Sequence, residues 1–285
     1  MDFSVATFVW TGSFTNDDIP LLGRIADMGY DAVEIVYDGS GGFDPARVAK
    51  GLSDARLGAA VLAFSLPDRD PSSSDPRLRE TGIDYLRNAV DVAATIGAGV
   101  VAGPIAHPPG RARALSAKDR ATERETAAAS LRTVGDHAAK RGVKLGVEVL
   151  GRYDSDMFNT AEDAVAFHGQ VAHPAVGLHL DTFHMQLEER SLRDAIRLVG
   201  DRLVHFHATE SHRGQLGTGQ VRWDEVFASL SEIAYDGLVS IESFKHTGTE
   251  FDALVSMWRP WFENSDEFAS SGLSFMRDTE KRAAR

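Results

Sequence analysis

A chain of 285 residues with a formal charge of −12, in which 42 Asp and Glu oppose 30 Lys and Arg, has no basic footprint for a polyphosphate backbone, so nucleic acid is not an expected partner. It contains no cysteine, which rules out disulfides, thiolate-held zinc, iron–sulfur clusters and cysteine nucleophiles. The opening MDFSVATFVW lacks the basic and long apolar regions of a signal peptide, and no apolar run nears the ~18 residues of a spanning helix, so a soluble cytoplasmic protein without membrane contact is expected.

Short β-branched or apolar runs alternate with longer amphipathic patterns from end to end, the sequence form of repeated βα units around a parallel sheet. The first strand is predicted at 3–9, followed by Trp10 and Phe14, which are assigned to the apolar wall of a ligand pocket, with core packing as the alternative. Further strands are predicted at 31–37, 57–65, 98–103, 143–150, 175–181, 202–208 and 237–243. Between them, Ile83, Leu86, Val90 and Ala94 recur at helical spacing, as do Ala127, Leu131, Val134 and Ala138. Gly29, Gly97 and Gly142 each stand between a helical run and a strand, where a left-handed cap favours a residue without Cβ. The Pro-containing stretch 106–116 reads as a loop, and 265–282 as a last helix packing outside, with Phe268, Gly272, Phe275 and Met276 on one face. Eight strands with intervening helices and no dividing linker predict a single (β/α)8 TIM barrel over 1–285.

Four metal-competent side chains fall at or near the ends of four successive strands: Glu148 in VEVLGRYD, Asp181 in LHLDTFHM, His207 in LVHFHATE and Glu242 in LVSIESF. Charged groups within apolar runs are costly to bury unless paired or bound to a cation, and barrel active sites lie at this rim. Any one of them alone reads as an ordinary rim residue; together they predict one shared divalent metal site. Three carboxylates and one imidazole suit Mn²⁺, with Co²⁺ and Mg²⁺ as alternatives, and leave positions for a chelating ketose. His205 lies one layer deeper and reads as a satisfied core histidine. GQLGTG, from Gly214, lacks the Lys-Ser/Thr of a phosphate-cradling loop.

These segments, together with EVLGRYDSDMFNT, HFHATESHRGQLGTG, AGPIAH and MWRPW, resemble the D-tagatose 3-epimerase and D-psicose 3-epimerase family of xylose-isomerase-like barrels over nearly the whole chain. The resemblance implies that Glu148, Asp181, His207 and Glu242 are metal ligands and that Glu148 and Glu242 also form the acid/base pair, a division that fits carboxylates approaching a substrate from two strands. It further implies that His184 and Arg213 bind substrate oxygens, and that Asp154 contacts the sugar or orients His184, with loop capping as the alternative. The implied activity is epimerisation of an unphosphorylated ketose at C3 through an enediolate, with no nucleotide cofactor, in a homodimer or homotetramer. Gly151, Asp154, Ala6 and Thr7 depart from the family pattern and leave the identity of the ketose open. Trp258 and Arg259 match a family segment without an assignable chemistry. Related barrels of the hydroxypyruvate isomerase, inosose dehydratase and dehydroshikimate dehydratase types, and a non-catalytic sugar-binding barrel, are the alternatives.

Overall fold

A computed structural model describes residues 1–283. In chain order the elements are β1 (Asp2–Val5), α1 (Pro20–Asp27), β2 (Ala32–Tyr37), α2 (Pro45–Ala55), β3 (Gly58–Ala63), α3 (Pro76–Ile96), β4 (Val100–Gly103), α4 (Ala117–Arg141), β5 (Lys144–Glu148), α5 (Ala161–Val171), β6 (Val176–Asp181), α6 (Thr182–Glu188), α7 (Leu192–Val199), β7 (Leu203–Ala208), α8 (Trp223–Glu232), β8 (Leu238–Ile241), α9 (Glu250–Leu254) and α10 (Ser265–Ala283). Local chemistry sets many of these limits. Asp44 and Asp75 cap helices whose first residue is Pro45 or Pro76, and Gly97 and Gly142 close α3 and α4 in left-handed backbone at φ of 78° and 71°. No described helix is long and apolar enough to cross a membrane.

The eight strands pair in the order β1-β8-β7-β6-β5-β4-β3-β2, every pair parallel. Between β1 and β2 the ladder thins to one bridge, Ala6 to Glu34. Side chains reinforce that seam: Phe3 N donates to Asp31 Oδ2 at 2.9 Å, and Val36 N donates to the Thr7 hydroxyl at 3.2 Å. The Thr7 hydroxyl thereby takes an N–H that a strand carbonyl would otherwise accept, while Trp10 N and Thr11 N bond back to Thr7 O. The first strand therefore ends at Val5 instead of reaching residue 9, and Thr7–Val9 curl into a 3₁₀ turn. The predicted barrel is otherwise as expected, with the ends of the other strands within two residues of the predicted ones.

The outer helices bury their apolar faces on the strands, and α10 docks through Phe268, Ala269, Leu273 and Met276. Tyr30 Oη donates to Ala269 O at 2.7 Å, tying α10 to the β1–β2 side. Inside the barrel, Ala60, Val100 and Ala102 meet Val204 and Leu238. These small and medium apolar groups fill the barrel interior from β3, β4, β7 and β8.

Candidate active site

At the mouth of the barrel, Glu148 ends β5, Asp181 ends β6, His207 is the last residue but one of β7, and Glu242 directly follows β8. All four are buried, none more than 6% exposed. Glu148, Asp181 and His207 each offer one ligand atom within 4.8 Å of the others. His207 Nδ1 is 4.0 Å from Asp181 Oδ2 and 3.6 Å from Glu242 Oε1. The other oxygen of Glu242 accepts from Arg213, whose Nη1 also stands 3.8 Å from Asp181 Oδ2.

Two buried atoms in this cluster, Asp181 Oδ2 and His207 Nδ1, have no hydrogen-bond partner, a costly state for groups cut off from water. The charges are equally uneven. Burial and the neighbouring Glu242 push the Glu148 carboxyl well above the usual carboxylate range, and burial raises Asp181 to about 6 against the pull of Arg213. Burial acts in the same sense on Glu242, but His207 and Arg213 outweigh it and hold that carboxyl at about 2. Burial disfavours a charged His207, yet Glu34 and Glu242 carry its pKa well above the ordinary value. An Asp181 carboxyl that retains a proton beside unpartnered oxygen and nitrogen atoms fits a divalent cation, which would replace that proton and engage those atoms.

A cavity of about 460 Å³ borders the cluster. Glu148, Asp154, His184, Arg213 and Glu242 line it on the polar side, and Phe8, Leu62, Phe64, Leu66 and Pro104 on the apolar side. His184 Nδ1 accepts from Gly151 N at 3.1 Å, so its proton lies on Nε2, 3.7 Å from Glu148 Oε1. Burial and Arg213 hold this imidazole neutral, with a pKa of about 3. A Cβ at Gly151 would stand 3.1 Å from Leu187 Cδ1 and 3.4 Å from His184 Nδ1, so it would press on the Leu187 side chain beside this contact. Asp154 Oδ2 is 3.8 Å from His184 Nδ1.

Arg213 has left-handed backbone at φ 59°, and its guanidinium carbon lies 4.1 Å from the Phe183 ring centroid and 4.7 Å from that of Phe244. Glu210 anchors the loop that carries it. The Glu210 carboxylate accepts from Ser211 N, Gly217 N, Val221 N and Trp223 Nε1, so the loop that includes GQLGTG is pinned at Gly217 to a protein carboxylate.

With this geometry in view, a family model described as a xylose isomerase-like TIM barrel matches residues 22–278. The chain belongs to that family. Among its xylose isomerase-like relatives, a ketose 3-epimerase from Arthrobacter globiformis is 33% identical over 280 residues, covering 95% of this chain and 93% of its own. An L-ribulose 3-epimerase from Methylomonas sp. (strain DH-1) is 30% identical, covering 97% of each chain. The crystal structure of a D-allulose 3-epimerase from Methylomonas sp. superposes with a TM-score of 0.93 at 29% identity, covering 98% of both chains.

Within this xylose isomerase-like barrel, Glu148, Asp181, His207 and Glu242 converge, and Asp154, His184 and Arg213 reach the same cavity. Trp10 and Phe14 do not. Trp10 Nε1 donates to Asp266 Oδ1 at 2.7 Å, and Trp10 lines a separate outer groove that contains none of the quartet. Phe14, 1% exposed, packs edge-on against Phe43. The 3₁₀ turn is the cause: by curling after Ala6 it presents Phe8 to the cavity, beside Phe244 and Phe251. Of the MWRPW segment, Met257 and Trp261 line the cavity while Trp258 is 70% exposed.

One residue of the cluster escaped the sequence reading. Glu34, in the middle of β2 and 0% exposed, lies beneath the rim with Oε1 2.7 Å from His205 Nε2 and Oε2 2.9 Å from His207 Nε2. Ser240 Oγ also donates to Oε2, at 3.1 Å. The available signal was an acid set among Val33, Ile35 and Val36, a position that a strand buried on both faces does not tolerate without partners. His205 is an interior histidine whose Nε2 stands against Glu34, but neither of its ring nitrogens makes a hydrogen bond, so it is not the satisfied core histidine that was expected.

Proposed function

We propose that this protein is a metal-dependent ketose 3-epimerase that interconverts C3 epimers of free ketoses of the D-tagatose, D-psicose, D-fructose or L-ribulose class. The observation that carries the reading is a pair of buried glutamates, Glu148 and Glu242, bordering one cavity beside Asp181 and His207. The names of the full-length relatives support it, since they are ketose, L-ribulose and D-psicose 3-epimerases.

Glu148, Asp181, His207 and Glu242 would hold one divalent cation, Mn²⁺ foremost, which when bound supplies Lewis acidity toward a ketose carbonyl. Glu242, kept ionised by His207 and Arg213, is suited to accept the C3 proton on one face, leaving an enediolate. Glu148 returns a proton on the other face, and the two exchange tasks in the reverse direction. Arg213 offers N–H donors to the oxygen that gains charge without losing its own proton, and His184 Nε2–H donates to a neighbouring hydroxyl. Phe8, Leu62 and Phe64 meet the carbon skeleton.

The reading is tested by incubating a ketose panel in D₂O with metal-stripped protein and with the same protein reloaded with Mn²⁺. Deuterium at C3 of an epimerised ketose, in the reloaded sample alone, is the expected result. Formation of a dehydrated product would make the protein a lyase, and sugar binding without exchange would make it a binding barrel.

A further inference from the structure

We infer that Glu34 is a positioning residue for the metal centre: it fixes which nitrogen of His207 faces the cation, and its charge strengthens that imidazole as a ligand. The inference rests on the metal-centre reading proposed above. Its basis is the arrangement of bonds about one buried carboxylate.

His207 has two ring nitrogens, and they face different surroundings. Nε2 points down the barrel to Glu34 Oε2 at 2.9 Å, whereas Nδ1 points to the rim, 3.6 Å from Glu242 Oε1 and 4.0 Å from Asp181 Oδ2, with no hydrogen-bond partner of its own. A carboxylate can only accept, so the hydrogen shared with Glu34 belongs to Nε2, which leaves Nδ1 as the ring nitrogen that a cation would engage. An imidazole whose far nitrogen donates to a carboxylate is both oriented and made more basic, and losing such a partner costs 10–100-fold in metal affinity in other proteins.

Glu34 is itself immobilised by neighbours from both remaining directions. Ser240 Oγ donates to Oε2 at 3.1 Å from β8, and His205 Nε2 lies 2.7 Å from Oε1 on β7. The residue is 0% exposed and itself forms the bridge to Ala6 at the sheet's thin β1–β2 seam, from which its side chain reaches across to the two histidines of β7. A carboxylate held by two or more groups at such a depth has no freedom to follow the imidazole; the imidazole must follow it. Glu34 touches neither the cavity lining nor Glu148, Asp181 or Glu242 by any hydrogen bond in the described residues, which separates its task from proton transfer.

The test is titration of metal-stripped protein with Mn²⁺ by calorimetry, comparing the unaltered chain with Glu34→Gln and Glu34→Asp, each first checked for native circular dichroism without metal. Glu34→Gln is expected to raise the Mn²⁺ Kd 10–100-fold. At Mn²⁺ concentrations above that Kd, the ketose KM should stay within about twofold, because no cavity-lining group has changed. Glu34→Asp keeps the charge but withdraws it by one methylene, and should fall between the two; it carries the test if Glu34→Gln does not fold. A Kd within about twofold of the unaltered chain for the variants that fold would overturn the inference, as would failure of both variants to fold without metal, which would make Glu34 a folding residue. Absence of Mn²⁺ binding by the unaltered chain would instead sink the metal-centre reading itself.

Discussion

The two halves of the barrel mouth are built from opposite materials. Strands β5 to β8 end in Glu148, Asp181, His207 and Glu242, whereas the β1 to β4 side presents Phe8, Leu62, Phe64, Leu66 and Pro104. One half concentrates three buried carboxylates, a buried imidazole and the largely buried Arg213 guanidinium; the other contributes surface without a single titratable group. The contrast separates two tasks that a ketose requires. Groups that move protons or hold a cation must be crowded and polar, and are mutually destabilising until a cation joins them. Groups that meet the carbon skeleton need only shape and apolar surface. Glu34 is the exception, an acid rooted in the apolar half whose contacts all belong to the polar half.

Substitutions should respond to this division in order of size. Glu148→Gln and Glu242→Gln are each expected to lower epimerisation by about 10³-fold or more while leaving the circular dichroism spectrum unchanged. Retention of more than a tenth of the activity by either would remove the proton-transfer task from the polar half. Arg213→Lys should cost about 10–100-fold in kcat/KM, because a point charge cannot reproduce the planar contacts between Phe183 and Phe244. Equal activity of the lysine variant would show that only the charge matters.

Acidity sharpens the contrast further. Asp181 is raised to about 6 in the metal-free protein, so a proton must leave it before a cation enters. Because this folded-state pKa exceeds the unfolded value, the metal-free protein binds the extra proton, and the Asp181 contribution to its stability is lost as pH rises toward 6. Mn²⁺ affinity should therefore fall at least about tenfold per pH unit below 6, and the rise in Tm on adding Mn²⁺ should be larger at pH 7 than at pH 5. An increment independent of pH would mean that Asp181 is not a ligand. The smallest effect is expected from the other half: Leu62→Ala should cost ~2 kcal/mol in stability and change KM by a few-fold with kcat nearly intact. A collapse of kcat there would break the division of labour.

The sequence disclosed the polar half almost completely, and the reason is positional. A charged residue at the end of an apolar strand run, repeated on four successive strands, is visible without coordinates, as are the helices whose glycines close in left-handed backbone. Glu34 was not legible as part of the site because its partner His207 lies 173 residues away and its own position is mid-strand, where an acid has no local explanation. Trp10 and Phe14 were misassigned for a local reason: one Thr7 hydroxyl bond to Val36 N converts the predicted strand end into a turn and rotates every later side chain. Strand periodicity cannot anticipate a side chain that competes with the ladder. The apolar wall from the β8–α10 connection, Phe244, Phe251 and Met257, was equally hidden, since it belongs to loops and the five-residue helix α9.

Arg213 shows what such a mouth can read. Phe183 and Phe244 both lie close against its guanidinium, so an acceptor approaching past either ring meets hydrocarbon. Oxygens lying in the guanidinium plane meet N–H groups, two of them side by side when the spacing matches a vicinal pair. The two phenyls thus restrain one flat cation at the cavity wall, and altering either would loosen that restraint without touching a single charge.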